Sequence, residues 1–173
     1  MRNFPTSLIV LILASLLTIN LAFSLEPEPV LTYAQPRDIW DEEKLLDFFA
    51  KFNLSDHETK EVSFENYINK PEDWLQTRLR RNVNLHIASS YYNLEKAKDS
   101  IKEVVFQNSE QIVRWLNNPE STLQRQFVGE FNEPIGHGFL RSNPDSFKSF
   151  SKARLVLAKK SNEIQVISTY PIE

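Results

Sequence analysis

The spacing of apolar side chains changes near residue 118, and this change constrains the fold more than any other feature of the chain. Before it, apart from one short strand, apolar residues recur every three or four positions, as in amphipathic helices. After it, apolar and polar residues alternate, as in half-buried strands joined by turns. Helices followed by hairpin-connected strands are typical of α+β proteins. The sequence therefore predicts an α+β fold with an antiparallel sheet.

The same pattern predicts the individual elements. Helical spacing covers four segments: residues 38–53, 61–68, 71–81 and 94–117. Strand-like patterns cover five segments: residues 85–92, 123–131, 135–141, 153–158 and 164–170. A loop is expected at 142–151, and a tight hairpin turn at 161–162. Along the last strand, side-chain alternation predicts that Ser168 shares a face with Val166 and with Tyr170.

The first 24 residues have the layout of a secretory signal peptide. Arg2 supplies a positive charge, an apolar run follows at 8–21, and small residues flank a cleavage point after Ser24. The run is shorter than the ~20 residues of a membrane-spanning helix. We therefore expect residues 1–24 to be removed, which leaves a secreted or periplasmic protein with no stable membrane span. Cleavage after Ala34 and an uncleaved membrane anchor are the alternatives.

The rest of the chain divides into an extended, proline-containing linker at 25–37 and a single domain at 38–173. Its charge is uneven: residues 25–73 contain 5 Lys or Arg and 13 Asp or Glu, whereas residues 74–173 contain 14 and 10. A basic half suits a polyanionic partner such as RNA, because Lys and Arg neutralise phosphates. A solvated surface with unevenly placed charge is the alternative.

The composition excludes several classes of site. The chain has no cysteine, which excludes disulfides, a thiol nucleophile and a cysteine-based zinc site. Its 3 glycines form neither a dinucleotide-binding motif nor a phosphate-binding loop. The His, Asp and Glu residues do not have metal-ligand spacing, and no Ser/His/Asp set is credible. The sequence therefore predicts no metal and no cofactor.

Four segments occur in an order and spacing that match one known family. They are INKPEDWLQTRL at 68–79, ASSYYNLEKAKDSIKEVVFQNSEQIVRW at 88–115, PIGHG at 134–138 and ARLVLAKKSNEIQVISTYP at 153–171. Through these segments the chain resembles the bacterial RNase A-like domain of contact-dependent growth-inhibition toxins, the CdiA C-terminal family. The resemblance implies an RNase A-like fold without disulfides, with N-terminal helices packed on a bent antiparallel sheet. It also implies metal-free RNA cleavage, and it makes a cognate immunity protein a candidate partner.

The resemblance assigns the catalytic positions unevenly. The family's arginine falls on Arg78, and its terminal tyrosine falls on Tyr170. The threonine two residues earlier falls on Ser168, which keeps a hydroxyl group, but the catalytic histidine falls on Tyr67. A phenol with a reference pKa near 10 is only about 0.1% ionised at pH 7, so Tyr67 is a poor general base. We therefore expect a ribonuclease of reduced activity.

Two histidines are candidates to replace the missing imidazole, and both are assigned to substrate binding. His86 lies at the entry to the strand at 85–92, and His137 lies between two glycines in the PIGHG segment. His57, in a polar stretch, is the weakest candidate. For each of the three, a solvated or structural histidine is the alternative.

Two other functions stay open beside the ribonuclease. One is a catalytically inactive RNase-fold protein that binds RNA or a protein partner. The other is an interaction protein whose likeness to the family is limited to packing. The alternative for Arg78 is a surface ion pair with Glu72, Asp73 or another carboxylate. The alternative for Tyr170 and Ser168 is a core tyrosine beside a surface serine. The ribonuclease requires Arg78 and the two hydroxyls to meet in one site.

Overall fold

In the part of the chain that the structure describes, helices dominate before residue 118 and antiparallel strands follow it. The computed structural model describes residues 39–54, 64–160 and 163–173. Its elements, in chain order, are α1 (Glu42–Ala50), a 3₁₀ turn (Phe64–Tyr67), α2 (Glu72–Arg81), β1 (Ile87–Tyr91), α3 (Leu94–Gln107), α4 (Ser109–Asn117), β2 (Gln124–Glu130), β3 (Gly136–Leu140), β4 (Asn143–Phe150), β5 (Lys152–Lys160) and β6 (Glu163–Ile172). The predicted α+β class is confirmed.

Four sequence predictions lie outside the described residues: the signal peptide at 1–24, the linker at 25–37, His57 and the hairpin turn at 161–162. No helix within the described ranges is both long enough and apolar enough to cross a membrane. All the described residues belong to one compact unit.

The strands form two sheets of three, ordered β1-β3-β4 in the first sheet and β2-β5-β6 in the second. All neighbouring strands are antiparallel. Only Ser151 separates β4 from β5, so the chain passes from one sheet to the other at that residue. The sheets also meet at β1 and β6, where the Ser89 hydroxyl donates to the Pro171 carbonyl at 2.6 Å. The bent sheet implied by the resemblance is therefore built from two three-stranded sheets in contact.

Two hydrophobic cores divide the helices into two groups. The larger core lies between helices α1, α3 and α4 and the second sheet, and its fully buried members include Leu45, Phe49, Ile101, Val104, Ile112, Trp115, Leu155 and Val166. The smaller core joins α2 to the first sheet through four buried residues: Leu75, Leu79, Ala88 and Phe139. Each leucine, isoleucine, valine or phenylalanine side chain in these cores stabilises the fold by roughly 1.5–3 kcal/mol when fully buried. Helix α2 therefore takes its position from the first sheet, separately from the other helices.

The prediction of one helix at 94–117 is wrong, because two helices occupy this segment and meet at Asn108. The Asn108 backbone, at φ −119° and ψ 14°, does not continue an α-helix. Its side-chain amide donates to the carbonyl of Val104 at 2.8 Å and to that of Val128 at 2.9 Å. The second bond reaches strand β2, so the break depends on a tertiary contact that helical periodicity does not show.

The prediction of a loop at 142–151 is also wrong, because Asn143–Phe150 forms β4 at the edge of the first sheet. Only Phe150 in this strand is buried. An edge strand with two largely exposed faces needs no apolar alternation, so no strand pattern is visible in this segment of the sequence. The α-helix expected at 61–68 is not formed over its described residues, where Phe64–Tyr67 is a 3₁₀ turn. The other elements differ from their predicted bounds by at most four residues at either end.

A β-bulge sets which side chains of β6 face outward. The register of β6 against β5 shifts by one residue, with Ile167 as the extra residue. Val166 and Thr169 are both buried in the core as a result. Ser168 and Tyr170 are half-buried on the other face. The prediction that Ser168 shares a face with Val166 is therefore wrong, whereas Ser168 and Tyr170 do lie on one face.

Arg141, in the turn between β3 and β4, ties down the C-terminal end of α2. Its guanidinium donates to the carbonyl groups of Leu79, Asn82 and Leu85. A cation at this end of a helix satisfies carbonyls that have no partner within the helix and interacts favourably with the helix dipole. The orientation of α2 relative to the first sheet is thus set at its end as well as along its buried face.

Candidate active site between helix α2 and the second sheet

Four side chains from four different elements contact one another in succession. We call them the stacked row: Arg78, Tyr67, Tyr170 and Arg154. Arg78 Cζ lies 4.9 Å from the centroid of the Tyr67 ring. The rings of Tyr67 and Tyr170 are stacked, with centroids 5.9 Å apart and planes 23° apart. Arg154 Cζ lies 5.8 Å from the centroid of the Tyr170 ring. The row therefore has two phenol rings between two guanidinium groups.

Tyr67 is held by the segment that follows it. Ile68 forms a parallel bridge with Tyr91 of β1, and the Asn69 N–H donates to the Tyr91 carbonyl at 2.9 Å. Asn69 has a φ of 50°, in the left-handed region that asparagine tolerates better than most residues. The Lys70 N–H then donates to the buried Ser90 hydroxyl at 2.9 Å. These bonds fix the sharp change of direction between the 3₁₀ turn and α2, which carries Arg78.

Arg78 projects from α2 between buried Leu75 and Leu79, so the packing of the helix determines where the guanidinium can reach. Its Nη1 donates to the Asn66 carbonyl at 3.1 Å. Arg78 Cζ also lies 5.4 Å from the centroid of the Trp74 ring, and Lys70 Nζ lies 5.4 Å from the same centroid. Cations and aromatic rings therefore continue to alternate beyond the stacked row.

Tyr170 and Arg154 meet because they are direct cross-strand partners on β6 and β5. Arg154 Nη1 donates to the Tyr170 hydroxyl oxygen at 3.4 Å. Ser168 precedes Tyr170 by two residues on the same face, which places it about 7 Å away along the strand. Two hydroxyl groups and a guanidinium thus share one half-buried surface.

The guanidinium groups of this surface have no carboxylate partners among the described residues. Within that part of the chain the ion pairs involve other cations, and neither Arg78 nor Arg154 takes part in one. The ion pair of Arg78 with Glu72 or Asp73 considered from the sequence is not formed. Arg154 Nε is buried and has no hydrogen-bond partner among these residues. Because partly desolvated charges are costly when unpaired, this surface suits an anionic ligand.

The two histidines assigned to substrate binding are held at the first sheet. His137 packs between Tyr92 and Phe147, with ring centroids 5.3 and 4.9 Å away, and its Nε2 hydrogen-bonds to the Lys70 carbonyl at 3.1 Å. The glycines on either side of His137 allow β3 to approach β1 closely, because a Cβ on either would overlap a β1 carbonyl oxygen. His86 is exposed ahead of β1. Neither histidine is part of the stacked row.

The structure therefore brings together three residues that the resemblance indicated, Tyr67, Arg78 and Tyr170, and places Ser168 on the same strand face as Tyr170. Sequence reasoning missed Arg154. The sequence carried one signal: Arg154 is a charged residue between apolar Ala153 and Leu155, within the alternating segment at 153–158. No group of three or more His, Cys, Asp or Glu side chains in the described ranges is arranged to hold a metal ion.

Comparison with known proteins finds a matching family and a solved structure with a similar fold. Residues 63–171 match the family described as the bacterial CdiA-CT RNase A domain. The fold is similar to a chain in the crystal structure of a CdiA-CT/CdiI complex from Y. kristensenii, with a TM-score of 0.59 and 21% sequence identity over 64% of this chain and 97% of that chain. No curated protein matches the sequence. Since the family match spans most of the chain, including all four members of the stacked row, this protein belongs to the bacterial CdiA-CT RNase A domain family.

Proposed function

We propose that this protein is a metal-independent ribonuclease of the RNase A type, with activity reduced by the tyrosine at position 67. One observation carries the proposal: Arg78, Tyr67 and Tyr170, indicated separately by the sequence, contact one another in a single row. Membership of the CdiA-CT RNase A domain family supports the same class of activity.

The chemistry assigns a role to each group. In metal-free cleavage the ribose 2′-hydroxyl attacks the adjacent phosphate, which requires a proton acceptor, a proton donor and groups that stabilise the phosphorane oxygens. Arg78 supplies a planar guanidinium suited to a phosphate. Tyr170 and Ser168 supply hydroxyl groups that donate hydrogen bonds to phosphoryl oxygens.

The step with no efficient catalyst is removal of the 2′-hydroxyl proton. Imidazole suits this step because its pKa lies near neutral pH. Tyr67 occupies the corresponding position as a phenol, stacked on Tyr170 and contacted by Arg78. General acid–base help is worth about 10²–10⁴-fold in rate, so its loss slows cleavage without removing the substrate-binding groups.

A catalytically inactive protein that binds RNA or a protein partner is the second candidate function. The same observation favours it: the row keeps two guanidinium groups and two rings for binding, while Tyr67 replaces the base. Binding and cleavage use the same surface in the two proposals, so only a rate measurement separates them.

The proposal extends to a partner and a compartment. The solved structure with a similar fold is a complex of CdiA-CT with CdiI, which supports a cognate immunity protein as a partner of this chain. Secretion, or location in the periplasm, rests on the apolar segment at 8–21 and the small residues up to Ser24.

The test is to compare cleavage of a labelled RNA by the purified protein and its Tyr67→His variant, both in excess chelator. We expect the variant to cleave about 10²–10⁴-fold faster than the parent, because an imidazole restores the general base. Phe106→His is the matched control, since it places the same new side chain on α3, where Phe106 is exposed and outside the stacked row. It should leave the rate near that of the parent.

Three outcomes distinguish the candidates. Chelator-resistant cleavage that rises in Tyr67→His supports the ribonuclease. Salt-dependent RNA binding without cleavage in either protein supports the inactive binding protein. Absence of both cleavage and RNA binding excludes the ribonuclease and an RNA ligand together.

A further inference from the structure

Arg154 is the member of the stacked row to which the proposed mechanism assigns no chemical step. It lies on β5 directly opposite Tyr170, and its Nη1 donates to the Tyr170 hydroxyl oxygen at 3.4 Å. Its guanidinium also lies 5.8 Å from the Tyr170 ring centroid. Both contacts are with one candidate catalytic side chain, so any action of Arg154 passes through Tyr170 or through a ligand bound beside it.

The surroundings of Arg154 are poor for a structural arginine. Its Nε is buried and has no hydrogen-bond partner in the part of the chain that the structure describes. Within the same residues it forms no ion pair, whereas Lys152, two residues earlier on β5, pairs with Glu130 at 3.1 Å. An unsatisfied buried N–H and an unpaired charge both lower stability. A half-buried arginine with these properties contributes little to folding and is suited to bind an anion.

The hydrogen bond from Arg154 also sets the direction in which Tyr170 can donate. A hydroxyl group has one proton and two lone pairs. Because Arg154 has no acceptor to offer, the Tyr170 oxygen must use a lone pair toward it. The Tyr170 proton then stays available for a group on the outer side of the sheet, where a phosphate would lie between Tyr170 and Arg154.

We propose that Arg154 is a phosphate-binding and positioning residue of this site, which attracts the RNA phosphodiester and orients the Tyr170 hydroxyl as a donor to its oxygens. This inference rests on the proposed function of the same site. It adds a second guanidinium, which contacts Tyr170 whereas Arg78 contacts Tyr67. The favoured ligand is RNA, the substrate class of the proposed function, and an acidic polypeptide is the alternative that the test distinguishes.

The test uses three variants of the full chain: Arg154→Gln, Arg154→Lys and the control Arg125→Gln. Arg125 is an exposed arginine on β2 of the same sheet and is not part of the stacked row. Its replacement removes the same charge as that of Arg154. Dissociation constants for a single-stranded RNA are measured at several salt concentrations, and cleavage rates are measured at saturating protein. Circular dichroism and thermal unfolding show that each variant is folded.

Arg154→Gln should lower the salt dependence of RNA binding by about one phosphate contact and slow cleavage by about 10²-fold. Arg154→Lys should keep the salt dependence, because it keeps the charge, but should not recover the rate, since a lysine ammonium does not reproduce the guanidinium geometry. In a Tyr170→Phe background, Arg154→Gln should slow cleavage much less, because the hydroxyl that Arg154 orients is gone.

The inference is overturned if Arg154→Gln binds and cleaves RNA as Arg125→Gln does in an active parent. It is also overturned if Arg154→Gln loses binding to polyglutamate but not to RNA, because the ligand is then an acidic polypeptide. A parent that neither binds nor cleaves RNA overturns the proposed function and this inference together. The behaviour of the parent therefore distinguishes the two failures.

Discussion

Tyr91 of β1 and Tyr170 of β6 lie on opposite sides of strand β6, and they differ in burial and in the partners of their hydroxyl groups. Tyr91 contacts the inner face, where it is fully buried and its hydroxyl hydrogen-bonds to that of Thr169 at 2.6 Å. Tyr170 is on the outer face, half-buried, with an arginine at its hydroxyl and another tyrosine at its ring. Tyr91 and Thr169 satisfy each other's hydroxyl groups. On the outer face, the Tyr170 proton and the two guanidinium groups of the stacked row remain available to a ligand. The comparison separates a hydroxyl that serves stability from one available for chemistry.

Inserting an alanine between Ser168 and Thr169 would disturb this division between the two faces of β6, and we expect the largest effect of any change. Thr169 would then face outward and Tyr170 would face the core, because a one-residue slip turns every later side chain to the other face. The loss of buried contacts should cost about 2–5 kcal/mol, a large part of the stability of a typical domain. Urea unfolding measures it.

Ile167→Val is the matched control for that insertion, since it changes the bulge residue by one methylene and keeps the residue spacing along β6. It should change the free energy of unfolding by no more than about 1 kcal/mol. An insertion variant as stable as this control would show that the residue spacing after the bulge does not determine the two faces of β6.

Exchanging each tyrosine for phenylalanine sharpens the comparison. Tyr170→Phe should slow RNA cleavage by about 10²-fold and change the free energy of unfolding by less than about 0.5 kcal/mol. Tyr91→Phe should do the opposite: it leaves the Thr169 hydroxyl buried without a partner, at a cost of about 1–3 kcal/mol, and leaves the rate of the folded protein unchanged. Single-turnover kinetics and thermal unfolding measure the two effects.

The double variant Tyr91→Phe with Thr169→Val tests the reason given for the inner pair. Replacing both partners by apolar groups removes the unsatisfied hydroxyl, so the double variant should be more stable than Tyr91→Phe alone. If Tyr91→Phe slows cleavage as much as Tyr170→Phe does, the division between a stabilising and a functional face is wrong.

The smallest expected effect is a pH dependence of stability at the inner face. Burial raises the pKa of Tyr91 well above its usual value near 10, and the hydrogen bond from Thr169 only partly opposes this. The neutral phenol is therefore favoured in the folded state, while the unfolded chain ionises at the ordinary pKa. The stability from this group is fully present below about pH 10 and is lost progressively as the pH rises toward the folded-state pKa.

The slope of that loss approaches about 1.4 kcal/mol per pH unit. It is measured by urea unfolding between pH 8 and about 11 for the parent and for Tyr91→Phe. The parent should become less stable relative to Tyr91→Phe above about pH 10, since phenylalanine does not titrate. A constant difference across this range would contradict the role assigned to burial.

Much of the fold and part of the site could be predicted from the sequence, and the missed parts have one property in common. Helices α1 and α2 were predicted within four residues because their apolar faces repeat locally, whereas the described part of the helix expected at 61–68 contains a 3₁₀ turn. The break at Asn108, the edge strand at 143–150 and the bulge at Ile167 were missed. Each depends on a partner distant in the chain or on exposure at a sheet edge, neither of which a local pattern records.

The sequence by itself determined the α+β class and the absence of any cysteine-based chemistry, because local periodicity and composition carry that information. The candidate roles of Arg78 and Tyr170 are implied by the resemblance of its motifs to a known family. Only the tertiary structure decided that Tyr67 contacts both Arg78 and Tyr170. It also decided that Arg154 hydrogen-bonds to the Tyr170 hydroxyl. The physical reason is strand register. The pairing of β5 with β6, including its one-residue shift, decides which side chains meet and on which face they stand.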